Sequence, residues 1–360
     1  DIAAIIFNVK EKGGIFMERI KAAVVGAGIF GDTHCRAYSE SSIVDLAWVC
    51  DQDQERAKQA AKKYNCNFTT DLQEITNDPS ISIVSVATPD FAHRDISLKV
   101  IEAGKNLIVE KPLATNIEDA QAITDAVKRK GVKFMTDFQN RWNAPFIQAK
   151  QNLESGKYGE PVSAYIRLAN SIMITKWLSW SAKSGPQWFL GPHIVDLVCW
   201  LYNQKPIKVF ASGKRKVLKS IGYDTYDAIQ AQLIFEDSFA TIDTSWIVPK
   251  NWPSLDFRMD ILTTNGKMEL EPTFNGISMC ADEGYQIPFI GGRQDGFDRM
   301  FGFFFGLLRG VVVVGALVIL GQTVEIDRDA WWQNARLRGP AESVAGGLRT
   351  IVGDHLPGEN

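Results

Sequence analysis

The groups in this chain best suited to chemistry are three glycines, an aspartate, a lysine and a histidine, each set in a telling local context. The run Ala23-Val24-Val25-Gly26-Ala27-Gly28-Ile29-Phe30-Gly31 is a G-x-G-x-x-G sequence directly after an apolar strand pattern. In that setting Gly26 permits a tight turn. Gly28 lets backbone approach a pyrophosphate that any Cβ would strike, and Gly31 permits close packing of the following helix on the strand. That helix, headed by Ile29 and Phe30, offers phosphates its free N–H groups and the positive end of its dipole. Asp51 lies 20 residues beyond Gly31, at the end of the next apolar run. A carboxylate there accepts from adenosine ribose hydroxyls and repels the extra phosphate of NADP, so the pattern points to NAD in preference to NADP. FAD and a purely structural glycine turn are the other readings of the same residues. Lys111 follows an apolar run and so falls at the carboxyl edge, where open α/β sheets bind ligands. By position alone it also suits a surface lysine beside Pro112. His193, Asp196 and Trp200 fall at i, i+3 and i+7 of an amphipathic stretch opened by Pro192, hence on one helix face. An imidazole accepts protons near neutral pH, although a histidine at a helix start is also readily satisfied by local backbone.

These groups need a scaffold, and the hydrophobic pattern supplies one. From residue 20 to about 136, short apolar runs at 21–25, 46–50, 82–87, 107–110 and 133–136 alternate with helical patterns at 34–39, 54–64, 91–103 and 117–130. Strands this short, separated by helices, imply β-α-β units and a parallel sheet. Gly104 and Gly131 each stand just past a helix, where a left-handed cap is wanted. After Arg141 the pattern changes. A helix is expected at 145–154 and another at 192–202, among strands at 162–168, 208–216, 227–235, 239–247, 256–263 and 267–271. Turn residues at 236–238 and 265–266 favour hairpins. The fold class is therefore α/β: an N-terminal doubly wound Rossmann sheet plus a C-terminal α+β domain with a large open, mostly antiparallel sheet.

The chain has 360 residues, enough for two domains, and a formal net charge of −3. That charge leaves no electrostatic footprint for nucleic acid or an anionic membrane surface. The five cysteines form no C-x-x-C pair, and the four histidines are too scattered to suggest a metal site, so no metal is expected. Reduced, structural thiols suit a cytoplasmic protein. Residues 1–16 read as a non-native leader ahead of a start at Met17, without the features of a secretory signal. Residues 17–140 are the expected NAD-binding domain, 141–309 the substrate and oligomerisation domain, and 310–360 an atypical Arg- and Gly-rich tail. Residues 302–320 hold one charge, Arg309. The uncharged part, 310–320, is short against the ~20 apolar residues that span a bilayer, so a buried element is expected there. The abrupt change of pattern near Arg309 suggests a shifted reading frame.

Four stretches resemble the glucose–fructose oxidoreductase / inositol dehydrogenase / MocA family. They are the glycine loop with Cys50-Asp51, the run Ala87-Thr88-Pro89-Asp90 with His93, the tripeptide Glu110-Lys111-Pro112, and Gly191-Pro192-His193-Ile194-Val195-Asp196-Leu197. The likeness extends to about residue 305. It implies a Rossmann domain followed by an open-sheet domain that serves as an oligomer interface, as a homodimer or homotetramer. It also implies a polyhydroxy substrate such as a sugar or cyclitol. By resemblance Lys111 polarises the reacting oxygen, His193 is the general acid/base, and Asp196 and Arg141 contact substrate. Thr88, Pro89, His93, Glu110 and Lys111 join the glycine loop and Asp51 at the cofactor. The family pattern places an Asp four residues before the histidine. Here Phe189 stands there, leaving Asp196, Lys111 or another residue to hold His193. Four indoles at 177, 180, 188 and 200 suggest a platform for sugar rings or ordinary packing. The resulting expectation is an NAD-dependent dehydrogenase acting on CH–OH groups. The alternatives are NAD-assisted glycoside cleavage or epimerisation, and a cofactor-sensing regulator without turnover.

Overall fold

The computed structural model describes residues 19–252, 255–272, 276–281, 284–286, 295–323, 330–335 and 337–352. The expected leader and Met17 lie outside the described residues. The chain divides into two compact units. One comprises residues 21–40 and 46–298. The other comprises the described residues of 1–20, 41–45 and 299–360.

The first run of elements, in the larger unit apart from Ile20 and residues 44–45, is β1 (Ile20–Val25), α1 (Ile29–Glu40), β2 (Val44–Cys50), α2 (Gln54–Tyr64), β3 (Asn67–Thr69), α3 (Leu72–Asn77), β4 (Ile83–Val86), α4 (His93–Glu102), β5 (Asn106–Glu110), α5 (Ile117–Lys130) and β6 (Phe134–Asp137). The strands line up as β3-β2-β1-β4-β5-β6 in a parallel sheet. The order reverses between β1 and β4, which sets the ligand crevice beyond the carboxyl ends of those strands. β4 is buried along its whole length and β1 over its last four residues, as expected of strands covered on both faces. The helices are punctuated by their sequence. Asp53 caps α2 by accepting from the Arg56 N–H at 3.1 Å, and Asn116 caps α5 by accepting from Asp119. Gly104 and Gly131 take positive φ values of 74° and 68°, the left-handed caps expected of them. Two features differ from expectation. The first helix begins at Ile29, five residues before the predicted start, because the glycines that open it hide its apolar periodicity. β3 and α3 were not anticipated, since three and six residues are too few to show a period.

The second part of this unit runs α6 (Ala144–Glu154), β7 (Pro161–Ser171), α7 (Ile174–Trp177), α8 (Pro186–Phe189), α9 (Gly191–Tyr202), β8 (Lys208–Lys214), α10 (Val217–Ser220), β9 (Ala228–Ile234), β10 (Phe239–Val248), β11 (Asp256–Thr263), β12 (Gly266–Glu271), β13 (Gly276–Ala281) and β14 (Gly284–Gln286). The sheet order is β14-β13-β12-β11-β7-β10-β9-β8. It is antiparallel except where β7 meets β10. Along β7, Ala164, Ile166 and Leu168 face the core while Tyr165 and Arg167 face away, the two-residue period of a half-buried strand. The inward face packs on α6 and α9 through Phe146, Ile194, Leu197 and the fully buried Trp246.

In the other unit, α11 (Asp295–Thr323), α12 (Ala330–Gln333) and α13 (Arg338–Val352) share a small core of Val318, Ile319 and Ala345, flanked by Trp332 and Ala341. The boundary expected at 309/310 falls inside α11. The expectation of a buried element there is corrected, because Phe303, Val314 and Leu317 are exposed. Among the described residues no helix is long and apolar enough to cross a membrane.

Candidate functional site

The glycine loop joins β1 to α1, and each glycine has its own reason to lack a side chain. Gly26 sits at φ 98°, and a Cβ on it would lie 2.6 Å from the Ala87 carbonyl oxygen. A Cβ on Gly31 would lie 1.7 Å from the Gly26 oxygen, so α1 packs against the loop's own backbone. A Cβ on Gly28 would meet nothing within 4 Å. No internal contact therefore demands glycine at 28, and a ligand that approaches the backbone there is what the residue accommodates. Asp51, at the end of β2, accepts from the Ala27 N–H at 2.8 Å and the Asp53 N–H at 2.9 Å, with Arg56 Nη1 3.4 Å away. Its carboxylate thus stands beside the loop, where a ribose would sit. Thr88, just beyond β4, has its hydroxyl buried without a partner among the described residues. A Cβ-free approach, the head of a twelve-residue helix, an acidic strand end and an orphaned hydroxyl together fit a dinucleotide.

Two residues expected at the cofactor have partners within the fold. His93 is buried at the start of α4. Its Nδ1 lies 2.7 Å from the Pro112 oxygen and its Nε2 3.0 Å from the Thr88 oxygen. Burial holds this imidazole below its ordinary pKa, and a neutral ring has one N–H, which the shorter contact takes. His93 therefore ties the Thr88–Pro89 turn to the Lys111-Pro112 turn. Pro89 itself leads into the 3-10 turn Asp90–Ala92, where Asp90 accepts from the Ser184 hydroxyl at 2.6 Å. Glu110 points inward, 3.1 Å from His34 Nε2, and that nitrogen is also 3.3 Å from Asp137. His34 stands on α1. Glu110 and Asp137 are register partners at the ends of β5 and β6.

Lys111 directly follows β5 and is buried. Its Nζ donates to the Phe189 carbonyl oxygen at 3.0 Å and lies 4.4 Å from the Phe189 ring centroid and 5.4 Å from that of Phe30. Such placement over ring faces attracts a cation. Burial lowers the lysine's pKa, opposed by the carboxylates of Glu110, Asp137 and Asp90. Phe189, where the family pattern has Asp, is the hub of an aromatic cluster, with Phe30 and Trp180 at 6.0 Å and Trp246 at 5.8 Å between centroids. Of the four expected indoles, Trp180 belongs to this cluster, whereas Trp200 lies by Lys150. Trp177 and Trp188 are exposed.

His193 is buried in the first turn of α9, its backbone N–H donating to the Leu190 oxygen at 3.1 Å. The lysine is thus anchored on the turn that leads into the histidine's helix. Asp196, one turn on, is held by Arg141, whose Nε donates at 2.7 Å while Nη2 bonds the other carboxylate oxygen. Burial raises the Asp196 pKa, and Arg141 works against that. Both residues expected to orient His193 therefore have other partners: Asp196 has Arg141, and Lys111 has the Phe189 carbonyl. Sequence reasoning missed His34 and Asp137. The signal available was the pairing of β5 with β6, which sets residues 110 and 137 side by side.

Three family models match the chain. The first, oxidoreductase family with an NAD-binding Rossmann fold, covers residues 20–138. The second, the GFO/IDH/MocA C-terminal domain, covers residues 146–269. The third, colicin V production protein, covers residues 293–346. The two oxidoreductase models thus end at residue 269, and the model of another family covers most of the tail. Among curated proteins, levoglucosan dehydrogenase of Pseudarthrobacter phenanthrenivorans is 29% identical over 206 residues, 52% of this chain and 52% of that protein. Inositol 2-dehydrogenase of Salmonella paratyphi B is 28% identical over 199 residues, 53% of this chain and 57% of its own. The chain thus spans little more than half the length of these relatives. A solved levoglucosan dehydrogenase, in complex with NADH and L-sorbose, superposes with a TM-score of 0.70 at 22% identity, covering 77% of this chain and 82% of that one, which shows a shared fold. With its glycine loop, its Glu-Lys-Pro turn and two consecutive domain models that together match more than half of its length, this chain belongs to the GFO/IDH/MocA oxidoreductase family.

Proposed function

We propose that this protein is an NAD-dependent dehydrogenase that oxidises a CH–OH group of a sugar, cyclitol or related polyol, or reduces the corresponding ketone. The observation that carries this reading is Gly28, whose missing Cβ no internal contact requires, beside Asp51 at the strand end. Bound NAD would supply the hydride acceptor at its nicotinamide ring. Gly26, Gly28, Ile29, Phe30 and Gly31 would hold the pyrophosphate end, Asp51 the adenosine ribose, and Thr88 and Pro89 the edge of the cradle. Lys111, with one N–H given to Phe189, would donate to the substrate oxygen and stabilise the charge that grows there as hydride departs. His193 would take the hydroxyl proton. The Asp196–Arg141 pair presents a carboxylate and a guanidinium to hydroxyl groups, each satisfied by the other until substrate arrives. The named functions of the levoglucosan and inositol relatives support the substrate class.

A panel of polyols with NAD, followed at 340 nm, tests the reading. NADH formation is expected with at least one cyclitol or anhydrosugar, and Lys111→Ala should lose turnover while retaining NAD binding. Absence of calorimetric binding to either nicotinamide dinucleotide would refute it.

The assembly and compartment follow the same family logic. Strand β8 at the sheet edge exposes Val209 and Phe210, which suits a contact between copies of the chain. Four free cysteines among the described residues suit the reducing cytoplasm. Light scattering of the purified protein, expected to give a dimer or tetramer, tests the first.

A further inference from the structure

The residues beneath Lys111 form a buried ionic cluster that the cofactor reading does not use. β5 and β6 end in register on Glu110 and Asp137, which places two carboxylates side by side in the interior. His34 reaches them from α1, with Nε2 3.1 Å from Glu110 and 3.3 Å from Asp137. All three side chains are 5% exposed or less. Lys111 follows Glu110 in the chain and is itself buried.

Two carboxylates cannot both ionise this close in a dry setting without a compensating cation. The imidazole nitrogen, hydrogen-bonded to Glu110 and at ion-pair distance from Asp137, is the cation at hand. With His34 protonated the three groups carry one net negative charge, matched by the one positive charge of Lys111. A divalent metal on the same three ligands would displace the proton from the imidazole nitrogen, so the protonation state of His34 separates an imidazolium from a metal. The other ionisable groups facing this region are Asp90, His93, Tyr38 and Cys35. Asp90 is stabilised by its own donors, the Ser184 hydroxyl and the Phe91 N–H. His93 is held by carbonyls, Tyr38 bonds the Ser85 hydroxyl, and burial keeps the phenol of Tyr38 and the thiol of Cys35 neutral.

We propose that His34 is a positioning residue that, as an imidazolium bridging Glu110 and Asp137, sets a single negative charge beneath Lys111 and so keeps that lysine an ammonium at the reacting oxygen. This rests on the assignment of Lys111 to the substrate oxygen. Because His34 stands three residues past Gly31, the helix that receives the dinucleotide also carries this counter-charge. The tilt of titration agrees with the geometry. The two carboxylates raise the His34 pKa to about 9 against the effect of burial, and burial together with Glu110 raises that of Asp137 to about 6.

The cluster can be read without any substrate. The chain has four histidines, so ring-nitrogen NMR at pH 8, assigned with His34→Gln, isolates the signal. An imidazolium signature for His34 at pH 8, lost in Asp137→Asn, is the expected result. A neutral ring at pH 8 would overturn the proposal. So would a stoichiometric divalent ion found by elemental analysis and lost in His34→Gln. For whichever polyol is oxidised, Asp137→Asn alone leaves a neutral ring beside an ionised Glu110, hence the same single negative charge, and should leave the alkaline limb of kcat/KM in place. Glu110→Gln/Asp137→Asn removes that charge and should move the limb to lower pH by one unit or more, a tenfold loss at the wild-type limb. An unmoved limb in the folded double variant would refute the link to Lys111. Should the NMR result hold while no polyol is turned over, the dehydrogenase assignment fails and the ionic cluster stands.

Discussion

The glycine loop makes a prediction in which two substitutions of the same kind have opposite consequences. Gly31→Ala and Gly28→Ala each add one methyl group, three residues apart. At Gly31 that methyl would lie 1.7 Å from the Gly26 oxygen, a backbone atom that cannot rotate away. Relief needs α1 to shift off β1, and overpacking of this kind costs about 1–3 kcal/mol, with the upper end expected for a backbone clash. For a unit of this size 1 kcal/mol moves Tm by roughly 2–4 °C, so Gly31→Ala should melt about 6–12 °C below the parent. At Gly28 the methyl meets nothing within 4 Å and the backbone has no positive φ to strain. Stability should therefore stay within about 0.5 kcal/mol of the parent, as for other substitutions that touch nothing. Its effect falls on the ligand instead. Pushing the pyrophosphate away from the loop should weaken NAD binding by tenfold to a hundredfold, about 1.4–2.7 kcal/mol. Thermal melts with and without NAD, combined with calorimetric titration, separate the two variants. If Gly28→Ala binds NAD as the parent does, the loop is not the phosphate cradle. If it melts as low as Gly31→Ala, the free space at that position is misjudged.

Other consequences can be checked with the same protein. Asp51→Ser should narrow the preference for NAD over NADP at least tenfold in titrations, because Arg56 stays beside the emptied position; an unchanged ratio would remove Asp51 from discrimination. Phe189→Ala deletes the ring shared by Phe30, Trp180 and Trp246 and should cost about 3–5 kcal/mol in a urea melt. A loss below about 1 kcal/mol would deny it the role of aromatic hub. His34 has a folded pKa of about 9 against 6.5 unfolded, so its contribution is complete below pH 6.5 and disappears as pH rises through 9. Stability should accordingly decline between pH 7 and 10, and the slope should flatten in His34→Gln.

Much of this site could be read from the chain because its chemistry depends on local sequence. The glycine loop is contiguous, its strand and helix adjoin it, and Asp51 sits one strand away, so spacing alone places them. Lys111 is similarly fixed by the strand before it. The groups that escaped were defined by lateral neighbours. Asp137 gains its meaning from Glu110 on the next strand and His34 from a helix crossing above them, none of which is encoded by a period or a motif. The internal partners of His93 and Glu110 were not legible, since residue type and position do not reveal which way a side chain turns. Asp196 and Arg141 were each read as a substrate contact, and their separation of 55 positions gives no sign that one holds the other, as it does in the fold. In the last third, the apolar run of α11 read as wholly interior because composition cannot distinguish a helix buried on all sides from one buried on a stripe.

The hold on Lys111 has an evolutionary consequence. Its ammonium is gripped by the main chain at position 189, and every amino acid brings the same carbonyl to that place. Substitutions at 189 can therefore retune the polarity around the lysine, from carboxylate to phenyl, without releasing it. Only changes that displace the bend between α8 and α9, such as an insertion or a lost Gly191, would set it loose. A lineage with this arrangement can vary what it accepts as substrate while leaving the anchor of its key cation untouched.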